Sequence, residues 1–248
     1  MKQPFVFLRA RWRYLIMANW EVPPKLLMPH LPPGTQIDLY DGRAYVSLVG
    51  FLFEGARLLG VPAPFHQRFE EFNLRFYVTH QAGAERRRGV VFYQELVPKP
   101  MIPLVANNLF GERYATLPMR HQINRTAEAL RVQYDWNTRD RWHTFGVEAD
   151  GEARAVAAGT LEEFITEHYW GYARTKDGTG TYEYQVEHPR WQGYPVRDFQ
   201  TDADFSALYG DRFARYLAGA PASVYLLHGS EARIRWRRAL PVEAVVKA

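Results

Sequence analysis

Apolar and polar residues alternate along long stretches of the chain, which is the pattern of β-strands that bury one face. The clearest example is EFNLRFYVTH, residues 71–80. One face of this strand carries Phe72, Leu74, Phe76 and Val78, and the other carries Asn73, Arg75, Tyr77 and Thr79. The apolar face is expected to pack on the core. The polar face meets solvent or, if the sheet closes on itself, an interior lumen.

A strong turn signal lies in the preceding segment, QIDLYDGRAYVSLVGFLF, residues 36–53. Asp41-Gly42 stands between two apolar runs, and this dipeptide favours a two-residue hairpin turn. Similar strand patterns follow in GVVFYQELV, ALRVQYDW, WHTFGVEA, GTYEYQVEH, SVYLLHG and ARIRWRRAL. About ten short strands with turns between them predict a mainly β fold, as an antiparallel barrel or sandwich.

Four short helices are expected between the strands, at residues 23–28, 101–111, 160–168 and 204–209. The first begins at Pro23-Pro24, and proline suits a first helical turn. In the third, Thr160 and Glu163 have the spacing of a capping box, in which each side chain bonds to the backbone of the other residue. These helices are too few and too short to change the fold class.

The composition is that of an ordinary soluble globular protein. Of its 248 residues, 47% are hydrophobic and 23% are charged, which argues against disorder. No polar linker divides the chain, so we expect one domain spanning residues 1–248. The absence of cysteine excludes disulfides. No stretch reaches the roughly 18 uncharged apolar residues of a membrane span, and no signal peptide is recognisable, so a cytoplasmic location is expected.

Several function classes lack their usual motifs. There is no Walker loop, dinucleotide fingerprint or nucleophile elbow, so no cofactor is expected. The net charge of +4 is small, and no nucleic-acid-binding pattern accompanies it. The eight histidines show no ligand spacing, so we expect no metal. In VEHPRW, residues 186–191, we expect Trp191 to pack on the sheet and His188 to be hydrogen-bonded rather than metal-bound.

The candidate chemistry lies on the polar strand face and just beyond the next strand. Glu71, Asn73 and Arg75 alternate with apolar residues, and Glu95 lies on the neighbouring strand. Lys99 follows four residues after Glu95. It stands between Pro98 and Pro100, which exclude it from the interior of a helix. A buried lysine with a lowered pKa could form a Schiff base with a carbonyl compound. Alternatively, Lys99 remains charged at the rim of an apolar loop, pairs with Glu95 or attracts an anionic ligand.

A second, weaker pair of candidates follows Pro118. Arg120 and His121 lie at a predicted strand entrance, where they could also contact a ligand.

Several segments together resemble the bacterial DUF2071 family, which includes the YqjF-like proteins and is grouped with acetoacetate decarboxylase. These segments include WRYLIMANWEVPPKLLMPHLPPGTQIDLYDGRAYVSLVGFLF, PFHQRFEEFNLRFYV, GVVFYQEL, LPMRH, EFITEHYWGYA and VEHPRW. The resemblance covers nearly the whole chain. It implies a closed, mostly antiparallel β barrel with a few short helices around a small apolar cavity.

The same resemblance assigns roles to individual residues. Phe69-Glu70-Glu71 looks like the decarboxylase segment that supplies the cavity carboxylate, which would be Glu71. Pro98-Lys99 after Glu95 looks like the segment of the Schiff-base lysine. Two departures weaken this second match. Pro100 stands where the decarboxylase has a second lysine, and the spacing from glutamate to lysine is shorter here.

The resulting hypothesis is a protein that binds a small, partly apolar organic ligand, a carboxylate or keto acid, in a barrel cavity. The enzyme alternative is a lyase, decarboxylase or hydratase that works through Lys99 and Glu71. A structural or protein-interaction role is a third alternative and requires an exposed apolar patch. The sequence leaves the ligand and the oligomeric state open.

Overall fold

The computed structural model describes residues 4–138 and 141–240, and strands account for most of its regular structure. The strands are β1 (Val6–Val22), β2 (Gln36–Ile37), β3 (Ala44–Leu58), β4 (Val61–Pro62), β5 (Arg68–Ala82), β6 (Glu85–Val97), β7 (Tyr114–Thr116), β8 (Met119–Arg125), β9 (Ala129–Thr138), β10 (Arg141–Asp150), β11 (Arg154–Ala155), β12 (Trp170–Arg174), β13 (Thr181–Glu187), β14 (Gln192–Tyr194), β15 (Val196–Asp202), β16 (Ser223–Arg235) and β17 (Arg238–Ala239). The helices are α1 (Pro24–Leu27), α2 (Met101–Leu109), α3 (Leu161–Thr166) and α4 (Phe205–Leu217), and a 3-10 turn covers Met28–His30. The mainly β prediction is confirmed.

The strands form two sheets. In the larger sheet, neighbouring strands follow the order β16, β1, β3, β5, β6, β12, β13. A short pairing between β13 and β16 then joins the two ends of this series. The smaller sheet has the order β15, β10, β9, β8 and is antiparallel throughout.

The larger sheet is mostly antiparallel, as expected, with parallel pairings at two places. β12 pairs with β6 in parallel, and so does β7. Both pairings follow long crossings of the chain. α2 separates β6 from β7, and three strands of the smaller sheet (β8, β9 and β10), β11 and α3 lie between β7 and β12. Such crossings let a strand return in the same direction, which a tight hairpin does not allow.

β5 separates two apolar layers, as its alternating pattern predicts. Phe72 faces the smaller sheet, where its ring stacks on Trp136 with the centroids 4.3 Å apart. Phe145 of β10 packs edge-on against the Phe72 ring. All three side chains are fully buried, and burial of each such ring stabilises the fold by about 1.5–3 kcal/mol. The opposite face of β5 carries Tyr77, which packs in a second apolar cluster.

The predicted hairpin turn is present at Asp41-Gly42. Both residues have positive φ, 50° and 76°, which is the requirement of a type I′ turn. Tyr40 and Arg43 flank the turn and exchange two backbone hydrogen bonds of 3.0 Å. The strand before the turn, β2, pairs with β5.

The helix boundaries differ from the predictions. α3 has Thr160 as its N-cap, which accepts from the Glu163 N–H at 3.3 Å, but the helix ends two residues before His168. The Glu163 carboxylate reaches back to the N–H of Gly159 rather than to that of Thr160. α4 runs eight residues past the expected end because the chain kinks at Gly210 (φ 74°) and then resumes the helix. No helix within the described residues is both long and apolar enough to cross a membrane.

Candidate functional site

The larger sheet encloses a cavity of about 380 Å³, a size that suits a small organic molecule. Strands β1, β3, β5, β6, β13 and β16 all contribute to its lining. Aromatic rings form much of the wall; Trp12 meets Phe51 at 5.5 Å and Trp191 at 6.2 Å between centroids. Ile102 and Ala106 of α2 also contact the cavity.

Three buried carboxyl groups form the polar end of this cavity. Glu71, Glu95 and Glu112 are only 3%, 1% and 9% exposed. Glu71 lies on β5, and Glu95 is opposite Asn73 in the register of β5 with β6, so both project to the same face. Glu112 comes from the loop between α2 and β7.

Two tyrosines connect these carboxyls. The Tyr114 hydroxyl donates to Glu71 Oε2 at 3.1 Å and also hydrogen-bonds Glu95. The Tyr184 hydroxyl donates to Glu112 Oε1 at 2.6 Å. The charge of Glu112 raises the pKa of Glu95, so the protonation of these two carboxyls is linked.

Burial raises the pKa of each of the three carboxyls. For Glu71, burial outweighs the Asn73 and Tyr114 hydrogen bonds and raises the pKa to about 7. For Glu112, burial raises the pKa to about 8 against the opposing bond from Tyr184. For Glu95, burial and then the charges of Glu112 and Glu71 raise the pKa well above its usual value. Glu95 and Glu112 are therefore largely protonated at neutral pH.

Local backbone features place Glu112 and Tyr114. The side-chain amide of Asn107 in α2 makes two hydrogen bonds with the backbone of Tyr114. The Tyr114 N–H donates to Asn107 Oδ1 at 2.7 Å, and Asn107 Nδ2 donates to the Tyr114 carbonyl at 3.0 Å. Gly111 has a φ of 74°, which a residue with a side chain would adopt only with strain. A Cβ there would also lie 2.7 Å from the Arg174 carbonyl. The glycine thus lets the chain turn tightly between α2 and the acidic residue.

Several buried polar atoms of the cavity lining have no hydrogen-bond partner among the described residues. They include Asn73 Oδ1, Arg75 Nε and Glu95 Oε2. Asn73 donates through Nδ2 to Glu71 at 3.0 Å, and Arg75 contacts the Met17 sulfur at 3.6 Å. An unsatisfied buried polar group costs about 1–3 kcal/mol. These atoms are therefore available for polar contacts with a ligand.

Three histidines also line the cavity, His66, His168 and His188, and none of them was a candidate site residue from the sequence. Burial lowers the pKa of His168 and of His188 to about 4, so both are neutral at pH 7. His188 stacks on Trp191 at 4.0 Å, and its Nδ1 lies 2.9 Å from the Pro189 carbonyl. The expected packing of Trp191 and hydrogen bond of His188 are confirmed.

Lys99 lies outside the cavity lining, as do Arg120 and His121. Lys99 occupies the bend between β6 and α2, where its carbonyl accepts from the Ile102 N–H. Among the described residues that line the cavity, no lysine is present.

The charge of Lys99 instead acts on Glu70, which precedes the cavity residue Glu71 on β5. Burial alone would raise the pKa of Glu70, but its hydrogen bond from His121 and the nearby Lys99 bring that pKa below its usual value. Arg120 pairs with the buried Asp135 at 2.8 Å. The structure therefore brings together Glu71, Asn73, Arg75 and Glu95 but separates them from the other three candidates. No group of three or more histidine and acidic side chains in the described residues has the geometry to hold a metal ion.

Comparisons with known proteins identify relatives of this chain. The model of the DUF2071 family, described as an uncharacterized conserved protein, matches residues 9–232. The protein YqjF of Bacillus subtilis (strain 168) is 27% identical over 118 residues, which is 47% of either chain, so the match spans about half of that relative's length.

Solved structures resemble the fold along nearly its full length. An acetoacetate decarboxylase-like enzyme from Sphingomonas wittichii RW1 has a TM-score of 0.64 at 15% identity and covers 95% of this chain and 94% of its own. Acetoacetate decarboxylase from Legionella pneumophila has a TM-score of 0.62 at 11% identity over 97% and 90% of the two chains. The enduracididine biosynthesis enzyme MppR, complexed with pyruvate, has a TM-score of 0.61 at 13% identity over 96% and 91%. At these identities the likeness establishes the fold alone.

Proposed function

The chain belongs to the DUF2071 family, and we propose that it binds a small, partly apolar carboxylate or keto acid in the cavity of the larger sheet. The observation that carries this proposal is the Arg75 guanidinium in the same cavity as three buried carboxyls whose pKa values are raised. The aromatic walls suit the apolar part of such a ligand.

The charge balance of the cavity favours an anionic ligand. Arg75 is a permanent cation, while Glu95 and Glu112 are largely neutral at pH 7. His168 and His188 are neutral as well. A carboxylate could therefore pair with Arg75 and accept hydrogen bonds from protonated carboxyls. In addition, it would accept a hydrogen bond from Arg75 Nε, a buried donor that has no partner among the described residues.

The proposal includes the architecture around the site. The series of pairings from β16 to β13 closes on itself through β13 and β16, and we propose that it acts as a closed barrel wall. Residues 1–248 would then form a single domain with one binding cavity.

An acid–base enzyme is the second candidate, and the pKa of Glu71 favours it. A carboxyl that titrates at about 7 can both take and return a proton at neutral pH. With a keto acid in the cavity, the Glu71 carboxylate would remove a proton from the carbon next to the carbonyl and give it back, as a lyase or hydratase requires. MppR has been solved with pyruvate, a keto acid of this class.

The enzyme candidate can be tested by deuterium exchange. Phenylpyruvate in D₂O should exchange its methylene protons faster with the wild-type protein than without protein, and Glu71→Gln should abolish the acceleration. Equal exchange with the wild type and with Glu71→Gln would exclude this role for Glu71.

The ligand-binding proposal can be tested by calorimetry with 3-phenylpropanoate and its neutral amide. Wild-type protein should bind the carboxylate more tightly than the amide. Arg75→Gln should weaken carboxylate binding by at least about tenfold, since a hydrogen bond to a charged group is worth about 1.5–3 kcal/mol.

Arg120→Gln is the matched control, because Arg120 pairs with Asp135 away from the cavity. This variant should bind like wild type. The proposal would be refuted if the wild type did not bind the carboxylate, or if both variants lost the same affinity.

A further inference from the structure

His168 is a buried residue of the cavity lining. One of its ring nitrogens has a hydrogen-bond partner among the described residues, and the other has none. It lies in the short connection between α3 and β12 and is 7% exposed. Its ring packs against Tyr77 at 4.7 Å and Phe164 at 5.1 Å. These two rings hold the imidazole in place on its apolar sides.

Asp38 fixes one ring nitrogen of His168. Its Oδ2 lies 3.1 Å from His168 Nε2, and the carboxylate is 3% exposed. Arg88 donates to the same oxygen at 2.7 Å, and Arg86 donates to Oδ1 at 3.0 Å. The backbone of Asp38 is anchored too, since its N–H donates to the Tyr77 carbonyl at 2.9 Å.

These contacts determine the protonation of Asp38 and His168. Burial alone would raise the pKa of Asp38, but the hydrogen bonds from His168 and Arg88 bring it below its usual value, so Asp38 is an anion. Burial lowers the pKa of His168 to about 4, so its ring is neutral and carries one proton. That proton lies on Nε2, the nitrogen that faces the Asp38 carboxylate. Nδ1 is therefore an acceptor with a free lone pair.

Nδ1 is buried and has no hydrogen-bond partner among the described residues. Tyr77 and Phe164 pack against the ring, and Nε2 is occupied by Asp38. His168 lines the cavity, so a ligand bound there can supply the donor for Nδ1.

Arg75 and His168 both line the cavity and both lie beside Tyr77. Arg75 and Tyr77 are two positions apart on one face of β5, and the guanidinium lies 5.8 Å from the Tyr77 ring. His168 packs on the same ring, so the cation and the acceptor are both neighbours of Tyr77. A short ligand can therefore contact both groups at once.

We propose that the cavity binds a 2-hydroxy acid, whose carboxylate pairs with Arg75 while its hydroxyl donates a hydrogen bond to Nδ1 of His168. This inference rests on the proposed function and adds a second contact to it. A carboxylate without the hydroxyl leaves Nδ1 without a donor, and so does a keto acid in its keto form. His168 thus selects the hydroxy acid over both analogues.

The test compares 3-phenyllactate with 3-phenylpropanoate, which differ by the single hydroxyl, in calorimetric titrations at pH 7. Wild-type protein should bind 3-phenyllactate up to about tenfold more tightly, the gain that one hydrogen bond provides. His168→Gln can keep a donor to Asp38 but has no atom at the position of Nδ1. It should bind both acids equally, with the affinity of wild type for 3-phenylpropanoate.

His80→Gln is the matched control. His80 also lies on the larger sheet and hydrogen-bonds through Nδ1, but to the Gly34 carbonyl and outside the cavity lining. This variant should keep the preference for 3-phenyllactate.

The results separate failure of the His168 contact from failure of carboxylate binding in the cavity. If wild type binds both acids equally, or if His168→Gln keeps the preference, the role of His168 is refuted and the carboxylate site stands. If neither acid binds to wild type, both proposals fall.

Nitrogen-15 NMR of the wild type gives a second readout that needs no variant. The His168 ring should show the neutral form protonated at Nε2, and the Nδ1 resonance should shift with 3-phenyllactate but not with 3-phenylpropanoate. A proton on Nδ1, or an equal response to both acids, would overturn the inference.

Discussion

Replacing Glu112 by glutamine should change how the stability of the protein depends on pH. The Glu112 carboxyl has a pKa of about 8 in the folded protein, because it is buried, against 4.5 for an unperturbed glutamate. The folded state therefore binds more protons than the unfolded state between these two values. It follows that the free energy of unfolding falls as the pH rises through this range.

The size of the effect follows from the two pKa values. Each pH unit between them contributes about 1.4 kcal/mol, so the Glu112 carboxyl lowers the stability by up to about 5 kcal/mol from pH 4.5 to pH 8. Glutamine keeps an oxygen that can accept from the Tyr184 hydroxyl and carries no charge. Glu112→Gln should therefore equal wild type near pH 4.5 and exceed it by up to about 5 kcal/mol near pH 8.

Glu95 adds to this result in the same direction. The charge of Glu112 is the second cause, after burial, that raises the pKa of Glu95. Removing that charge should lower the pKa of Glu95 and flatten the pH profile further.

Thermal and urea unfolding at pH 4.5–8 would measure the effect, with Glu128→Gln as the matched control because Glu128 is exposed. At this chain length, the gain near pH 8 corresponds to a rise in Tm of about 10 °C. Parallel pH profiles for wild type and Glu112→Gln would refute the assignment of a raised pKa. So would a wild-type stability that rises from pH 4.5 to pH 8.

Gly171→Ala, with Gly146→Ala as its control, tests the packing of the fold. Lys99→Ala tests whether Lys99 takes part in ligand binding. Gly171→Ala should destabilise the fold by about 1–3 kcal/mol in urea unfolding, since its Cβ would lie 2.1 Å from Cζ of Tyr184. Gly146→Ala, whose closest contact is 3.4 Å, should have a smaller effect, and equal losses would contradict this account. Lys99→Ala should bind 3-phenylpropanoate within about twofold of wild type, because Lys99 does not line the cavity. A keto acid trapped on Lys99 by borohydride would contradict that placement.

Local sequence patterns predicted the features that depend on near neighbours. The turn at Asp41-Gly42 needs only two residues that tolerate positive φ, and both adopt it. The two faces of β5 follow from strict alternation, so Asn73 and Arg75 could be assigned to one face before the structure. Glu95 was expected only on the neighbouring strand, and its face follows from the register of β5 with β6 in the structure.

Long-range packing supplied the parts of the site that the sequence did not indicate. Glu112, His168 and Tyr184 come from segments far apart in the chain, and no pattern in the sequence linked them. Gly171 was a usable signal, because a glycine within a strand often marks a close approach of another group. Here that group is the Tyr184 ring, which lies against the α-carbon of the glycine.

Lys99 shows where strand alternation ceases to apply. Glu95 and Val97 face the cavity side, and continued alternation would have brought Lys99 there as well. The strand instead ends at Val97, and the chain bends into α2 at Met101. The Lys99 side chain consequently lies near Glu70, on the other side of β5 from Glu71.

A crystal structure of the protein with 3-phenylpropanoate would test the central claim most directly. The account predicts that the ligand occupies the cavity, with its carboxylate at the Arg75 guanidinium and its ring against Trp12, Phe51 or Trp191. A ligand bound outside the larger sheet, or one whose carboxylate points away from Arg75, would contradict it.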